Sequence, residues 1–136
     1  DRVRALAFSP DSKALLTGAD DDQAKLWNVE TGELIRSYEH LGGVHAAVFP
    51  PNSQRLITGS RNSRTLKLWN RETAEELAAA NNVHVGELGM LLLPDGRLIT
   101  TLPQFQLPQG PAVPGVLQVW RLPDAAATQP SVHTPE

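Results

Sequence analysis

"KLWNVETGEL", from Lys25 to Leu34, comes back as "KLWNRETAEEL" from Lys67 to Leu77. Trp27 and Trp69 stand 42 positions apart, and a third tryptophan, Trp120 in "LQVWRLPD", follows after a further 51. Self-similarity at a period of this size marks a repeat architecture. Each unit in such a chain is one supersecondary element that hides its apolar face only by stacking on its neighbours.

Working outward from the tryptophans, each unit reads the same way. Alternating apolar residues open it, as in Val3, Ala5, Ala7 or Val44, Ala46, Val48, the period-two pattern of a strand with two unlike faces. Turn chemistry follows at Ser9-Pro10-Asp11-Ser12, Pro50-Pro51-Asn52-Ser53 and Pro94-Asp95-Gly96, where proline presets the first turn position. Short β-prone runs come next at Ala14 to Thr17, Arg55 to Thr58 and Arg97 to Thr100, then a polar hairpin and the strand that ends at tryptophan. A fourth element follows each Trp-Asn pair, at Glu33 to Tyr38 and Glu75 to Ala80. "ETAEELAAA" alone favours a helix by intrinsic propensity, but the register of the repeat places a strand there. The unit is therefore four short antiparallel strands in roughly 42 residues, the period of a propeller blade.

Bulk properties agree with this and exclude little else. At 136 residues, 40% apolar and 20% charged, the composition is that of an ordinary globular chain. A net charge of −3 lacks the basic excess of a nucleic-acid binder, so no nucleic-acid partner is expected. The absence of cysteine removes disulfides and thiolate metal sites. No apolar run approaches membrane-spanning length, so no membrane partner is expected. A cytoplasmic location is the accompanying expectation.

The motifs FSPD, LLTG and KLWN in the first unit, LITG and LKLWN in the second, and LPDGRLIT with LQVW in the third resemble the WD40 (WD-repeat) β-propellers over most of Asp1 to Pro123. The resemblance implies an all-β fold of three four-stranded antiparallel blades, open rather than closed: blade one at 1–40, blade two at 41–82, blade three at 83–123. It also implies a hydrogen-bond network joining a histidine, a Ser or Thr, an Asp and the Trp of each blade. The matching positions are Thr17, Asp21 and Trp27, then His40, Thr58 and Trp69, then His84, Thr100 and Trp120. No unit is complete, since Ser63 stands at the Asp position of the second and none is in register in the third. Incomplete buried networks leave donors in need of other partners.

A propeller closes with four to eight blades, so three leave an open ring with apolar faces and strand edges uncovered. The chain reads as the C-terminal three blades of a larger propeller, its upstream blades supplied by the same or another chain. The segment 124–136, with Pro130, Pro135 and an alanine run, makes a poor outer strand, so the last blade is expected to lack a regular one and to end in a disordered tail. The stretch "LPQFQLPQGPAVPG", 102–115, is an insertion in blade three. It has two readings: a tolerated surface loop, or a proline-stiffened recognition loop anchored by Phe105.

Enzyme chemistry needs a convergent nucleophile, base and orienter, or a metal cluster. His40 and His84 fall at structural positions, His133 lies in the tail, and His45 stands alone. "ADDDQ" at Ala19 to Gln23 lacks the glycine hinge and distal glutamate of a calcium loop. No phosphate loop or nucleophile elbow occurs in the sequence. The expectation is a protein without catalytic residues, metal or cofactor. Carried over from the family, the residues pointing to the top face are Arg2, Arg4 and Asp20 in unit one, Gly43, His45 and Asn62 in unit two, and Glu87 with Gly89 in unit three, beside the loop of Phe105. Mixed charges on a rigid rim suit protein or peptide partners. The leading expectation is thus a non-catalytic interaction scaffold. The alternatives are a regulatory or sensory segment of a larger protein such as a kinase or NTPase, and a propeller enzyme.

Overall fold

A computed structural model describes residues 1–51, 54–83, 90–102, 105–106, 112–113, 116–122 and 132–133, with side chains for 1–51, 54–83, 90–100 and 118–122. Three four-stranded sheets follow one another along the chain. The first is β1 (Val3–Phe8), β2 (Ala14–Ala19), β3 (Gln23–Asn28) and β4 (Leu34–Glu39), paired in that order. The second is β5 (Val44–Val48), β6 (Arg55–Ser60), β7 (Thr65–Asn70) and β8 (Glu76–Asn81). Every pairing within them is antiparallel. The helix-prone alanines of β8 are therefore strand, because Leu66, Lys67 and Leu68 of β7 offer them a ladder.

The third sheet departs from this pattern in two places. β9 (Met90–Leu92) and β10 (Arg97–Leu102) are followed by β11 (Phe105–Gln106) and β12 (Ala112–Val113), which among the described residues pair with each other alone, so that part of the expected insertion is a small hairpin. The chain then returns as β13 (Val116–Arg121) beside β10. The outer place is filled by just two residues, β14 (Val132–His133), where β4 and β8 each have six. The rest of the expected tail lies outside the described residues.

The alternation read in the sequence sorts side chains between two interfaces. Sheet one turns Ala5, Leu16, Leu26 and Tyr38 toward Val44, Ala47, Phe49, Leu56 and Trp69 of sheet two. The opposite face of sheet two, with Ala46, Ile57, Leu66 and Leu68, meets Leu98 and Trp120 of sheet three. The first strands adjoin, β1 against β5 and β5 against β9, so the sheets stand side by side with their inner edges together. Tryptophan lies at the matching place in every ladder, as Leu15↔Trp27, Leu56↔Trp69 and Leu98↔Trp120 show. At the turn before each outer strand Gly32 and Ala74 occupy one place 42 residues apart, both left-handed, with φ of 73° and 60°. Glycine takes that conformation freely and alanine under strain.

Candidate functional site

One device recurs at the end of the sheets where β2 turns into β3. Val3 pairs with Ala19 and Ala5 with the adjacent Gly18, so Arg4 is an extra residue inserted at the register shift in β1. Val44 pairs with Ser60 and Ala46 with Gly59, which makes His45 the same extra residue in β5. A β-bulge bends the strand and re-aims the side chain of the extra residue. Both side chains are brought to one polar cleft, where Asp20, Gly43 and Asn62 also stand.

Within the cleft the guanidinium of Arg4 forks onto the carboxylate of Asp20. Its Nε donates at 2.9 and 3.0 Å and its Nη2 at 2.7 Å. That fork, with weaker help from His45 and Arg2, holds the Asp20 carboxyl below its ordinary range. His45 donates from Nδ1–H to the Gly43 carbonyl at 2.6 Å, which leaves Nε2 facing Asp20 Oδ1 at 3.9 Å. Gly43 fits closely there: a Cβ would lie 3.2 Å from His45 Cε1 and 3.3 Å from both Cα and Oδ1 of Asp20. The cleft thus offers cations, carboxylates, an imidazole and an amide within one shallow opening.

Of the residues read from the sequence, Arg4, Asp20, His45 and Asn62 converge. Arg2 is exposed at the same end, where its backbone carbonyl accepts from the Asp20 amide at 3.0 Å, but its side chain does not line the cleft. Glu87 and Gly89 lie outside the described residues. Phe105 belongs by its backbone to the β11–β12 hairpin, and its side chain is likewise outside them. Two further lining residues, Asp22 and Arg61, were not assigned to the top face from the sequence. Their signal was position: each sits in an exposed hairpin turn, Asp22 two residues after Asp20 and Arg61 next to Asn62.

Behind the cleft lies the buried network. Trp27, Trp69 and Trp120 each donate from the indole nitrogen to a threonine, Thr17 at 2.9 Å, Thr58 at 2.8 Å and Thr100 at 3.0 Å. His40 joins Thr58 through Nε2. Asp21 accepts instead from Lys25 Nζ at 2.6 Å and the Gln23 amide at 3.2 Å, and the Lys25 contact lowers its pKa most. In the third unit His84 lies outside the described residues. The hydrogen bond that the His40 backbone amide donates to the Asp22 carbonyl is made there by the Val83 amide, to the Arg64 carbonyl. Val83 is fully buried and apolar, so it can anchor the strand but cannot bond Thr100. Among the described residues no group of three or more His, Asp or Glu is placed to hold a metal, and no helix is long and apolar enough to cross a membrane.

A sequence model of the family described as "WD domain, G-beta repeat" matches residues 1–28 and 32–70, from the start of β1 to the end of β7 apart from the turn at 29–31. The chain belongs to the WD-repeat family. Protein tipD of Dictyostelium discoideum is 39% identical over 68 residues, covering 49% of this chain and 11% of that protein. A chain in the crystal structure of the mitotic checkpoint complex shares the fold, with a TM-score of 0.76 and 18% identity over 97% of this chain and 40% of that one. The RRP9 WD40 repeats superpose with a TM-score of 0.74 and 17% identity, over 98% of this chain and 37% of that one. These WD repeats therefore span less than half the length of each of these three proteins.

Proposed function

We propose that the chain is a non-catalytic protein-interaction scaffold whose top-face cleft receives a peptide segment of a partner, with a cytoplasmic location. The observation that carries this is the convergence of Arg4, Asp20, His45 and Asn62, two of them aimed by bulges, on a rigid edge. A cleft of mixed sign selects partners by electrostatic complementarity more than it adds raw affinity. The similar chain in the mitotic checkpoint complex, a protein assembly by its description, supports partners of the same kind. Since the relatives are much longer, the same cleft would also serve a regulatory segment of a multidomain protein. In either setting the exposed face of sheet one is covered by a further blade, of this or another chain.

The test is a random-peptide display library selected on the wild-type chain. Selected peptides should bind at least about tenfold more weakly to Arg4→Ala, His45→Ala and Asn62→Ala, a loss of about 1.4 kcal/mol each, while melting temperatures stay unchanged. Peptides that bind wild type and all three variants equally would remove the cleft from the proposal.

A further inference from the structure

The tautomer of His45 is set by its neighbour. A carbonyl oxygen only accepts, so the contact with Gly43 puts the proton of the neutral ring on Nδ1 and leaves Nε2 with a bare lone pair. That lone pair faces Asp20 Oδ1 at 3.9 Å, and Nε2 makes no hydrogen bond among the described residues. Two acceptors thus confront each other across a gap that one donor nitrogen fills, lying about 2.9 Å from each. The gap is held from three sides. The bulge in β5 aims His45, the fork from Arg4 clamps Asp20, and Gly43 packs against both. It is also open to the cleft, since the Asp20 side chain is 34% exposed.

We infer that the gap between His45 Nε2 and Asp20 Oδ1 is the seat of a primary ammonium, the lysine side chain of a partner's segment. This rests on the reading of the cleft as a peptide site and names the residue that the peptide must carry. An ammonium has three donors and no acceptor, so it bonds Nε2 and Oδ1 together. Asp22 and Asn62 line the same cleft and bring a carboxylate and an amide oxygen for the third donor. Hydrogen bonds between charged groups are about twice as strong as neutral ones. A guanidinium suits the gap less well. It recognises a carboxylate through both oxygens, and Arg4 already bonds both oxygens of Asp20. Oδ1 keeps capacity for one more donor, which a point-like ammonium supplies. A phosphate or carboxylate from the partner would meet two acceptors and be repelled. The formal charges lining the cleft cancel, Arg4 and Arg61 against Asp20 and Asp22. The choice of ligand is therefore made by the acceptor pair at contact range, not by the field of the whole cleft.

Short peptide libraries with the same random flanks and one fixed central residue test this on the immobilised chain. The fixed residue is lysine, acetyllysine, norleucine or arginine, with the amino terminus acetylated. A further norleucine library keeps its amino terminus free, to separate a terminal ammonium from a side-chain one. The lysine library should be retained at least about tenfold more than the acetyllysine and norleucine libraries, the scale of one hydrogen bond to a charged group. His45→Lys puts an ammonium of its own beside Asp20 and should bring lysine retention down to the norleucine level. His45→Gln keeps an acceptor there and should hold part of it. Should His45→Lys melt well below wild type, His45→Phe, which removes the acceptor, takes its place. Equal retention of lysine and norleucine overturns the inference, as does lysine retention that His45→Lys leaves unchanged. Arginine retained as well as lysine, or the free amino terminus retained better, overturns the lysine assignment. Peptide capture is judged separately by Asn62→Ala. If all libraries are retained equally but lost in that variant, the cleft still takes peptides and only the ammonium seat falls. If that variant changes nothing, peptide capture falls with it.

Discussion

The Nε2 of His40 bonds the hydroxyl of Thr58, while Nδ1 of the same ring is buried without a partner. Burial, with Lys67 nearby, pulls the His40 pKa from 6.5 down to about 4. The folded state thus refuses a proton that the unfolded chain accepts between those values, so stability rises with pH across that window. It is complete above about pH 6.5 and is lost as the pH falls toward about 4, in total roughly 3 kcal/mol at about 1.4 kcal/mol per unit. Urea denaturation followed by tryptophan fluorescence at stepped pH should show this decline, and His40→Gln should flatten it. Asp11, Asp20 and Asp21, whose pKa values are lowered from 3.8, contribute only below the window. A wild-type curve that is level from pH 7 to pH 4.5 would contradict this assignment.

Ser63 takes in the second hairpin the place that Asp21 has in the first, and its hydroxyl is spent on Thr65 at 2.7 Å. The network that the family resemblance implies puts a carboxylate at this position in reach of the histidine, and the His40 Nδ1 is buried without an acceptor. Ser63→Asp should raise stability by about 1–2 kcal/mol, the scale of satisfying a buried donor. It should also lift the His40 pKa toward 6.5 and narrow the acid-sensitive window. Histidine ring resonances followed against pH would report the shift, with Ser63→Ala as control. Equal stability of the two variants would show that the orphaned nitrogen is met in another way.

The architecture was legible because its cause is periodic. Trp27, Trp69 and Trp120 recur in register, and a ladder place repeated that faithfully fixes strand order and face at once. The cleft was legible in part. Arg4 and His45 follow an apolar first position and are bulge residues, whereas the aim of Asp22 depends on a left-handed turn with φ of 64° that no local pattern announces. The third histidine position was opaque for a related reason. Asn82, with φ of 59°, adds a residue between the second and third sheets, so a count of 42 or 43 from His40 does not reveal which side chain points inward. The pairing of Val132–His133 with β13 is non-local, and its two residues carry no strand signal against their proline-rich surroundings.

Gly18 faces Val44 so closely that a Cβ would lie 2.6 Å from Val44 Cγ1 and 2.8 Å from the Val44 carbonyl oxygen. Because backbone as well as side chain is in the way, β2 and β5 would have to part. Gly18→Ala should cost about 1–3 kcal/mol, the range of overpacking. Gly32→Ala, with open space around it and φ of 73°, should cost about 1 kcal/mol from backbone strain alone. Guanidinium denaturation of the two variants separates the effects. If Gly18→Ala proved the milder, the first two sheets would be less tightly joined than their geometry requires.

Tyr38 is wedged between sheets one and two, its ring 5.6 Å from that of Trp69 and its hydroxyl donating to the Arg71 carbonyl at 2.6 Å. One repeat later the same place is held by Ala80, and a size exchange accompanies it. Tyr38 pairs with Ala24, whereas Ala80 pairs with Leu66. The leucine refills only part of the space, and an apolar slot lined by Ile57, Leu68, Leu98, Trp120 and Leu122 stays open beside it. Leu66→Ala alone should therefore cost about 2–4 kcal/mol. Adding Ala80→Tyr should return at least half of that loss, because the ring then enters as Tyr38 does and meets Trp120 in place of Trp69. Ala80→Tyr on its own should be neutral or destabilising, since Leu66 crowds the ring. A double-mutant cycle of unfolding free energies gives the coupling directly. Simple additivity of the two changes would mean that the sheets meet differently at the second interface than at the first.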